Sequence, residues 1–386
     1  MRWSTRCDAS NARTELLWAR LWRRLRDGEA MVTHLRQARL LGADVEAIRR
    51  EELLARAQSG EIKPIQHELN ALLIDQRGDG REISEALVNG LVINNQLDEA
   101  FVVLDAWRLS FPNDGHPDYV TGRIAEHQSR DAEVETAYRS SLEREPTHRP
   151  ALYRLGRFLL RTRRAEAALV SFQRLGTLNV GAAAVMGEAE AALKLGNGLE
   201  AGRLLRPLLR LPRADFERSL ILVDEAIEET SVELELGIVE SELGNHDEAL
   251  RLLEIALSQD PNNLTTRYAH AVELRENNRV EESAQELTAV ADSRRMLAEV
   301  DVLIDQIQTS KDKGSVDEKL RVGELYMQHG SRKTGEFWLK QALLLDPHCT
   351  KAHELLMAYY EGLSKTRPEF QKLADRHRRS SSHHSP

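Results

Sequence analysis

Residues 97–112, LDEAFVVLDAWRLSFP, and residues 132–146, AEVETAYRSSLEREP, are two helix-like segments that each end in a proline. The two prolines, Pro112 and Pro146, are 34 residues apart. Proline ends a helix because it lacks an amide hydrogen and clashes with the preceding turn. The same frame, extended along the chain, predicts repeats that start near residues 81, 115, 149, 182, 230, 264 and 316.

Three columns of residues support this frame. Two antiparallel helices that cross closely need small residues at the crossing and a larger apolar residue to fill the gap between repeats. The eighth position of successive repeats holds Val88, Gly122, Gly156, Ala189, Gly237, Ala271 and Gly323. The twentieth position holds Ala100, Val134, Ala168, Ala201, Ala249, Ser283 and Gly335. Four positions later stand Leu104, Tyr138, Phe172, Leu205, Leu253, Leu287 and Leu339.

The repeat resembles the tetratricopeptide repeat (TPR) family, whose period is 34 residues. The resemblance is clearest in VELELGIVESELGNHDEALRLLEIALSQDP (232–261) and VGELYMQHGSRKTGEFWLKQALLLDP (322–347). It implies an all-α, right-handed superhelical solenoid of antiparallel helix pairs, whose first helices line a concave groove. It also implies a protein-interaction scaffold. The chain departs from the family by lacking the aromatic residue at the fourth position of most repeats and by two irregular spacings.

We predict five segments along the 386 residues. Residues 1–80 form degenerate N-terminal repeats with a basic first helix, and residues 81–215 form regular repeats. Residues 216–310 contain repeats with inserted helical material: a partial helix near 215–229 and a long second helix over 296–315. Residues 311–363 form a last repeat, with 311–314 an exposed turn, followed by a capping helix. Residues 364–386 form a basic tail that is predicted to be disordered because it has little apolar content to bury.

Composition excludes several functional classes. The net charge is −9, but residues 1–26 carry +5 and residues 362–386 carry +4, which leaves −18 on the body. An acidic body repels a phosphate backbone, so no nucleic-acid binding is expected. Two isolated cysteines and scattered histidines predict no metal site and no cofactor. No catalytic motif occurs, and we therefore predict that the chain is not an enzyme.

No apolar stretch is long enough to span a membrane, and the chain is expected to be soluble and cytoplasmic. A misplaced start codon, which would hide an N-terminal anchor, stays open. The predicted helix at residues 14–26 places Leu17, Trp18, Leu21, Trp22 and Leu25 on one face and arginines on the other. This pattern fits a membrane-surface helix, and it equally fits a first repeat helix whose apolar face packs on the next helix.

In TPR proteins the groove is lined by positions 2, 5, 9, 12 and 13 of each first helix. Transferred to this chain, the resemblance implies a basic and aromatic stripe at these positions of the central repeats. Its residues are Asn89, Tyr119, Arg123, Tyr153, Arg157 and Arg161. Arginine binds carboxylates bidentately, so the stripe could receive an extended acidic peptide. The same residues also fit an ordinary solvated helix face with salt-bridge partners.

Two functions follow from the sequence. The first is a non-catalytic scaffold or adaptor that binds partner proteins or extended peptides along the groove. The alternative is an accessory or regulatory subunit of an enzyme or envelope-assembly complex, docked through its basic N-terminal helix.

Overall fold

The structure is a computed structural model that describes residues 11–24, 28–74, 80–94, 96–225, 230–310, 314–365 and 368–382. These residues form 21 α-helices and contain no β-strand. The all-α class and the TPR-type helix pairs predicted above are confirmed. The chain divides into two compact units, Met1–His148 and Arg149–Pro386.

The first unit contains α1 (Ala12–Arg24), α2 (Gly28–Leu40), α3 (Val45–Gln58), α4 (Gln66–Ile74), α5 (Gly80–Ile93), α6 (Leu97–Ser110), α7 (His116–His127) and α8 (Asp131–Arg144). The second unit contains α9 (Arg149–Arg161), α10 (Ala165–Gly176), α11 (Ala182–Lys194), α12 (Gly198–Leu205), α13 (Arg213–Ile221), α14 (Val232–Glu242), α15 (His246–Gln259), α16 (Leu264–Glu276), α17 (Val280–Thr309), α18 (Val316–His329), α19 (Arg332–Leu345), α20 (Thr350–Ser364) and α21 (Gln371–Ser382).

The predicted repeat frame coincides with the helix starts. The seven first helices α5, α7, α9, α11, α14, α16 and α18 begin within two residues of the predicted positions. Each packs against the helix that follows it, so the repeating element is a pair of neighbouring helices. The period and the residue columns both arise from the crossing of the two helices within a repeat. They therefore predict where the helices lie.

The crossings are as close as the small residues predict. A Cβ atom on Gly156 would lie 2.6 Å from Cζ of Phe172, and one on Gly122 would lie 2.4 Å from Cε1 of Tyr138. Both distances are shorter than carbon atoms tolerate. Phe172 and Tyr138 are themselves fully buried. In each case the large side chain therefore packs directly against the glycine of its own repeat.

Two of the turns inside the repeats use the left-handed backbone conformation. Gly196 has a φ of 77° and Gly244 a φ of 78°, a region that residues with a Cβ atom rarely adopt. Their amides donate hydrogen bonds to the carbonyl oxygens of Leu193 and Ser241. These turns reverse the chain between the two helices of a repeat.

Additional helix lies at the two irregular spacings, in α13 and α17. The short α13 packs on α11, where the amide of Ala183 donates to Oγ of Ser219 at 3.2 Å. The second irregular spacing is accounted for by α17, which is 30 residues long and packs on both α16 and α18. The predicted turn at 311–314 lies almost wholly outside the described residues.

The packing of α1 differs from the expected one. Its buried stripe is Glu15, Ala19 and Arg23, whereas Leu17, Trp18 and Leu21 are exposed. Among the apolar residues expected to face inward, Trp22 packs on the α2 side and Leu25 lies outside the described residues. The arginine face turns inward because α3 and α5 present acidic partners there.

Those partners are Glu51 and Glu82, which are both buried. Nε of Arg23 lies 2.7 Å from Oε2 of Glu51, and Nη2 of Arg23 lies 3.4 Å from Oε1 of Glu82. Arg20 and Arg24 also form ion pairs with these carboxylates. The basic residues of α1 therefore attach the helix to α3 and α5.

The predicted disordered tail is wrong for residues 371–382, which form α21 against α20. Phe370, Leu373 and Ala374 pack on the apolar side of α20, where Tyr360 is fully buried. The ring of Tyr360 stacks on His377 with centroids 5.7 Å apart. The apolar side of α20 needs a cover, and these few helically spaced residues supply it. The α20 segment is consequently half of a helix pair and not a terminal cap.

Candidate functional site

Of the predicted stripe, Asn89, Tyr119 and Arg123 belong to the first unit. Tyr119, on α7, is buried and takes part in a cluster of rings. Its ring centroid lies 5.4 Å from that of His116, 5.1 Å from that of His148 and 6.1 Å from that of Tyr138. Tyr119 is therefore mainly a core residue of its repeat.

Arg123 bends back along α7. Its Nη1 donates to the hydroxyl of Tyr119 at 2.9 Å, and its guanidinium carbon lies 5.9 Å from the Tyr119 ring centroid. A carboxylate oxygen of Glu126 lies 4.0 Å from its Nε. Asn89 lies partly buried on α5. The guanidinium of Arg123 is thus already engaged within its own helix.

Tyr153, Arg157 and Arg161 lie on α9 in the second unit, and the structure brings two of them together in a pocket of about 170 Å³. We call it the α9–α11–α14 pocket, after the helices that form most of its wall. These are the first helices of three successive repeats in the predicted frame. The pocket is lined by Tyr153, Arg157, Met186, Gly187, Glu190, Glu225, Thr230, Ser231, Leu234 and Glu235.

Arg157 is paired inside this pocket. Its Nη1 donates to a carboxylate oxygen of Glu190 on α11. Burial acts to lower the pKa of Arg157, but the carboxylate of Glu190 and further acidic neighbours raise it above its usual value overall. Arg157 therefore stays charged, and its charge is largely balanced by Glu190.

A second pair lies at the edge of the pocket. Nη2 of Arg154 lies 3.6 Å from Oε1 of Glu225 and donates to the backbone oxygen of Asp224 at 3.2 Å. Nearby, Oγ of Ser231 accepts a hydrogen bond from the amide of Leu234 and caps the start of α14. The Arg154 contacts hold the segment before α14 against α9, and the Ser231 contact fixes the start of α14.

Glu235 differs from the other charged residues of the lining. Its side chain is partly buried, and in the described part of the chain that side chain makes neither an ion pair nor a hydrogen bond. Burial, followed by repulsion from Glu190, raises the pKa of Glu235 to about 7, against the opposing charges of Arg157 and Lys194. At neutral pH its carboxyl is close to half protonated.

Tyr153 and Arg161 have different surroundings although both lie on α9. Tyr153 is buried, meets Phe172 edge-on at 6.0 Å, and has a pKa raised by burial. Arg161 is exposed, with its guanidinium carbon 5.2 Å from the ring centroid of Phe158, and it does not line the pocket. The predicted stripe thus divides into a pocket part and a surface part.

Most of the pocket lining was not predicted from the sequence, although the sequence contains a signal for part of it. The groove positions that selected Tyr153 and Arg157 also select Met186 and Glu190 in the repeat that starts at 182. In the repeat that starts at 230 they select Ser231 and Leu234. Applying the rule to those two repeats would have found four further lining residues. Glu225 and Glu235 do not occupy groove positions of the repeat. They line the pocket only because of the way the chain folds.

Two observations bear on other classes of site. No group of three or more His, Cys, Asp or Glu side chains among the described residues is placed to hold a metal ion. Of the described helices, none combines the length and the apolar content that a membrane crossing requires.

Comparison with known proteins gives similarity in structure alone. No family model matches the chain, and no curated protein matches it. Among solved structures, PilW, a widely conserved type IV pilus biogenesis factor, is 14% identical, with 54% of this chain and 91% of PilW covered at a TM-score of 0.43.

Two further solved structures illustrate the range. A tetratricopeptide repeat protein from Parabacteroides merdae is 16% identical, with 72% of this chain and 98% of that chain covered at a TM-score of 0.40. YrrB, described as a TPR protein with an unusual peptide-binding site, is 17% identical, with 49% and 91% covered at a TM-score of 0.34.

Proposed function

We propose that this protein is a non-catalytic scaffold that binds a partner protein or an extended peptide at the α9–α11–α14 pocket. The observation that carries the proposal is the position of the pocket. It lies where the first helices of three successive repeats meet, and it is bordered by charged and aromatic side chains. Binding sites are typically concave, and a few precisely placed polar groups give them their specificity.

Partner capture tests this proposal. Full-length wild type, Tyr153→Ala/Arg157→Glu and Arg161→Glu are used as baits in lysate of the native organism, and retained proteins are identified by mass spectrometry. Arg161→Glu is the matched control because Arg161 lies on the same helix but outside the pocket. We expect wild type and Arg161→Glu to retain the same partners and the pocket variant to lose them. Equal retention by all three baits would contradict binding at the pocket.

One observation favours the alternative function, an accessory subunit that docks through its N-terminal helix. Leu17, Trp18 and Leu21 project from α1 into solvent, with Arg13 exposed on the same helix. Leucine and tryptophan insert into the boundary between lipid headgroups and acyl chains, and arginine is attracted to anionic headgroups. The occupant that fits this face is an anionic lipid surface.

Co-sedimentation with vesicles tests the alternative. Vesicles of phosphatidylcholine, with or without phosphatidylglycerol, are mixed with wild type, with Leu17→Ser/Leu21→Ser, and with Val102→Ser/Leu109→Ser. The last variant removes two exposed apolar residues of α6 and serves as the control. If α1 docks on lipid, wild type and the Val102→Ser/Leu109→Ser control should sediment only with the vesicles that contain phosphatidylglycerol. A failure of wild type to sediment, or its self-association through α1, would rule out lipid docking.

A further inference from the structure

The lining of the α9–α11–α14 pocket carries more negative than positive side chains. Three carboxylates, Glu190, Glu225 and Glu235, share the lining with one guanidinium, that of Arg157. This composition is opposite in sign to the basic stripe that the sequence predicts. The chemistry of the pocket therefore depends on which of these charges are already paired.

Two of the three carboxylates in the lining form ion pairs. Glu190 pairs with Arg157, and Glu225 pairs with Arg154, which lies beside the pocket. Lys194 on α11 acts on Glu235 through its charge but forms no ion pair with it within the described residues. A carboxylate removed from water without a partner costs free energy, and proteins ordinarily pair it. The Glu235 carboxylate is thus a partly buried acceptor in the lining of the pocket, to which no described side chain donates.

We propose that the pocket receives a lysine or arginine side chain of the partner, held by Glu235 with Glu225 as a second acceptor. The proposal rests on the proposed scaffold function and specifies its partner as a basic segment. Positive charge entering beside Glu235 restores the pairing that this carboxylate lacks.

The rest of the lining suits such a side chain. Met186 and Leu234 give an apolar wall for the methylene stem of a long cationic side chain. The ring of Tyr153 gives a further surface against which a cation is attracted. The cavity of about 170 Å³ has room for one side chain and not for a folded element. Specificity is therefore expected for a single basic residue in each bound segment.

Binding is coupled to protons because Glu235 changes its charge. Its carboxyl is close to half protonated at neutral pH in the free protein. A bound cation favours the ionised form, so binding releases a proton from Glu235. The charged groups that act on Glu235 from the packed elements are Arg157 of α9 and Glu190 and Lys194 of α11. Tyr153 and Glu225 line the same pocket. Affinity for a cation should consequently increase from pH 6 to pH 8.

Isothermal titration calorimetry tests the proposal with decalysine and decaglutamate as probes. The full-length wild type is compared with Glu235→Gln and with Glu242→Gln. The control removes the same charge from an exposed position of the same helix, so it corrects for general attraction between a polycation and the acidic body. Circular dichroism confirms that the variants are folded.

We expect decalysine to bind wild type and Glu242→Gln with similar affinity, and Glu235→Gln about tenfold more weakly, which is about 1.4 kcal/mol. At pH 7, titration in buffers of different ionisation enthalpy should reveal about half a proton released by wild type and none by Glu235→Gln. Preference for decaglutamate, or equal decalysine binding and proton release in the two variants, would overturn the cation proposal.

The two proposals fail in distinguishable ways. If the pocket variant loses its lysate partners while Glu235→Gln binds decalysine like wild type, the scaffold stands and the cationic ligand is rejected. If all baits retain the same partners, binding at the pocket is rejected, whatever the decalysine result.

Discussion

Nε of Arg23 lies 2.7 Å from Oε2 of Glu51, and both side chains are buried within the first unit. The pair joins α1 to α3, and Glu82 of α5 lies within 3.4 Å of the same guanidinium. A buried ion pair adds little to stability over a well-packed apolar pair, but the loss of one member leaves an uncompensated charge. The attachment of α1 therefore depends on both partners being present.

We predict that Arg23→Met destabilises the protein by about 1–3 kcal/mol, because the buried Glu51 would lose its nearest cation and keep only Arg20, at 3.1 Å, as a close partner. Urea unfolding followed by circular dichroism measures the effect. Arg39→Met is the control, since Arg39 pairs with Glu52 on the surface and should change stability by less than about 1 kcal/mol. Equal effects of the two substitutions would show that the Arg23 pair is not buried in solution.

Gly156→Ala should destabilise the second unit by about 1–3 kcal/mol, because its Cβ would lie 2.6 Å from the buried ring of Phe172. Thermal unfolding measures the change. In Gly362→Ala the new Cβ meets no atom within 4 Å on α20, and the better helix propensity of alanine should stabilise by about 0.5–1 kcal/mol. If both substitutions stabilised the protein, the result would contradict the close approach of α9 and α10 at Gly156.

The attachment of α21 should depend on pH. Nε2 of His353 donates to the backbone oxygen of Pro347 at 3.0 Å, so its Nδ1 accepts the hydrogen bond from Nδ1 of His377 at 2.8 Å. Burial, then the neighbouring His353, Lys340 and Arg376, lowers the pKa of His377 to about 4, and Glu336 opposes this only weakly.

The folded pKa of His377 lies below the unfolded value of about 6.5, so the unfolded state binds a proton that the folded state excludes. Stability is therefore unaffected above about pH 6.5 and falls as the pH decreases from about 6.5 to about 4. The protection factors of the amides in residues 371–382, corrected for the intrinsic exchange rate at each pH, should decrease over this range in wild type. In His377→Phe the decrease should be smaller than in wild type, and an identical pH profile of the protection factors in the two proteins would disprove the assignment.

Tyr360→Phe should destabilise the C-terminal helix pair by about 1–2 kcal/mol, because the hydroxyl of Tyr360 donates to Oε1 of Glu336 at 2.6 Å in a buried position. Lys333 and Lys340 also contact Glu336, and despite burial the pKa of its carboxyl falls to about 2. Tyr268→Phe, at an exposed position, is the control and should change the urea midpoint little. A larger effect at Tyr268 would contradict the assigned hydrogen bond.

Much of the fold was predictable because the main packing contacts of a repeat lie within that repeat. A glycine at the eighth position and a large residue at the twenty-fourth, such as Gly122 and Tyr138, are partners within one repeat. Their sequence distance is constant, so the contact leaves a periodic signal. The same locality explains why Tyr153 and Arg157 were found by position alone, and why Met186 and Glu190 could have been found in the next repeat.

The ends of the array were harder to predict. The arginines of α1 suggest a solvated face, but Glu51 and Glu82 turn that face inward and leave Leu17 and Trp18 exposed. These partners lie 28 and 58 residues from the arginines they bind, at no repeated interval. Likewise, Phe370, just before α21, and His377 within it both stack on the ring of Tyr360, a contact that leaves no periodic signal in the sequence.

The repeat period, the helix pairs and the close crossings can be predicted from the amino-acid order alone, since these arise from contacts at a constant separation along the chain. The orientation of α1, the formation of α21 and the meeting of Glu225 and Glu235 with Arg157 in one pocket become visible only in the folded chain. Those features depend on burial and on charges brought together from distant segments. A carboxylate such as Glu235, to which no described side chain donates, is recognisable only when its surroundings are known, because the free energy of burial is a property of the surroundings and not of the residue.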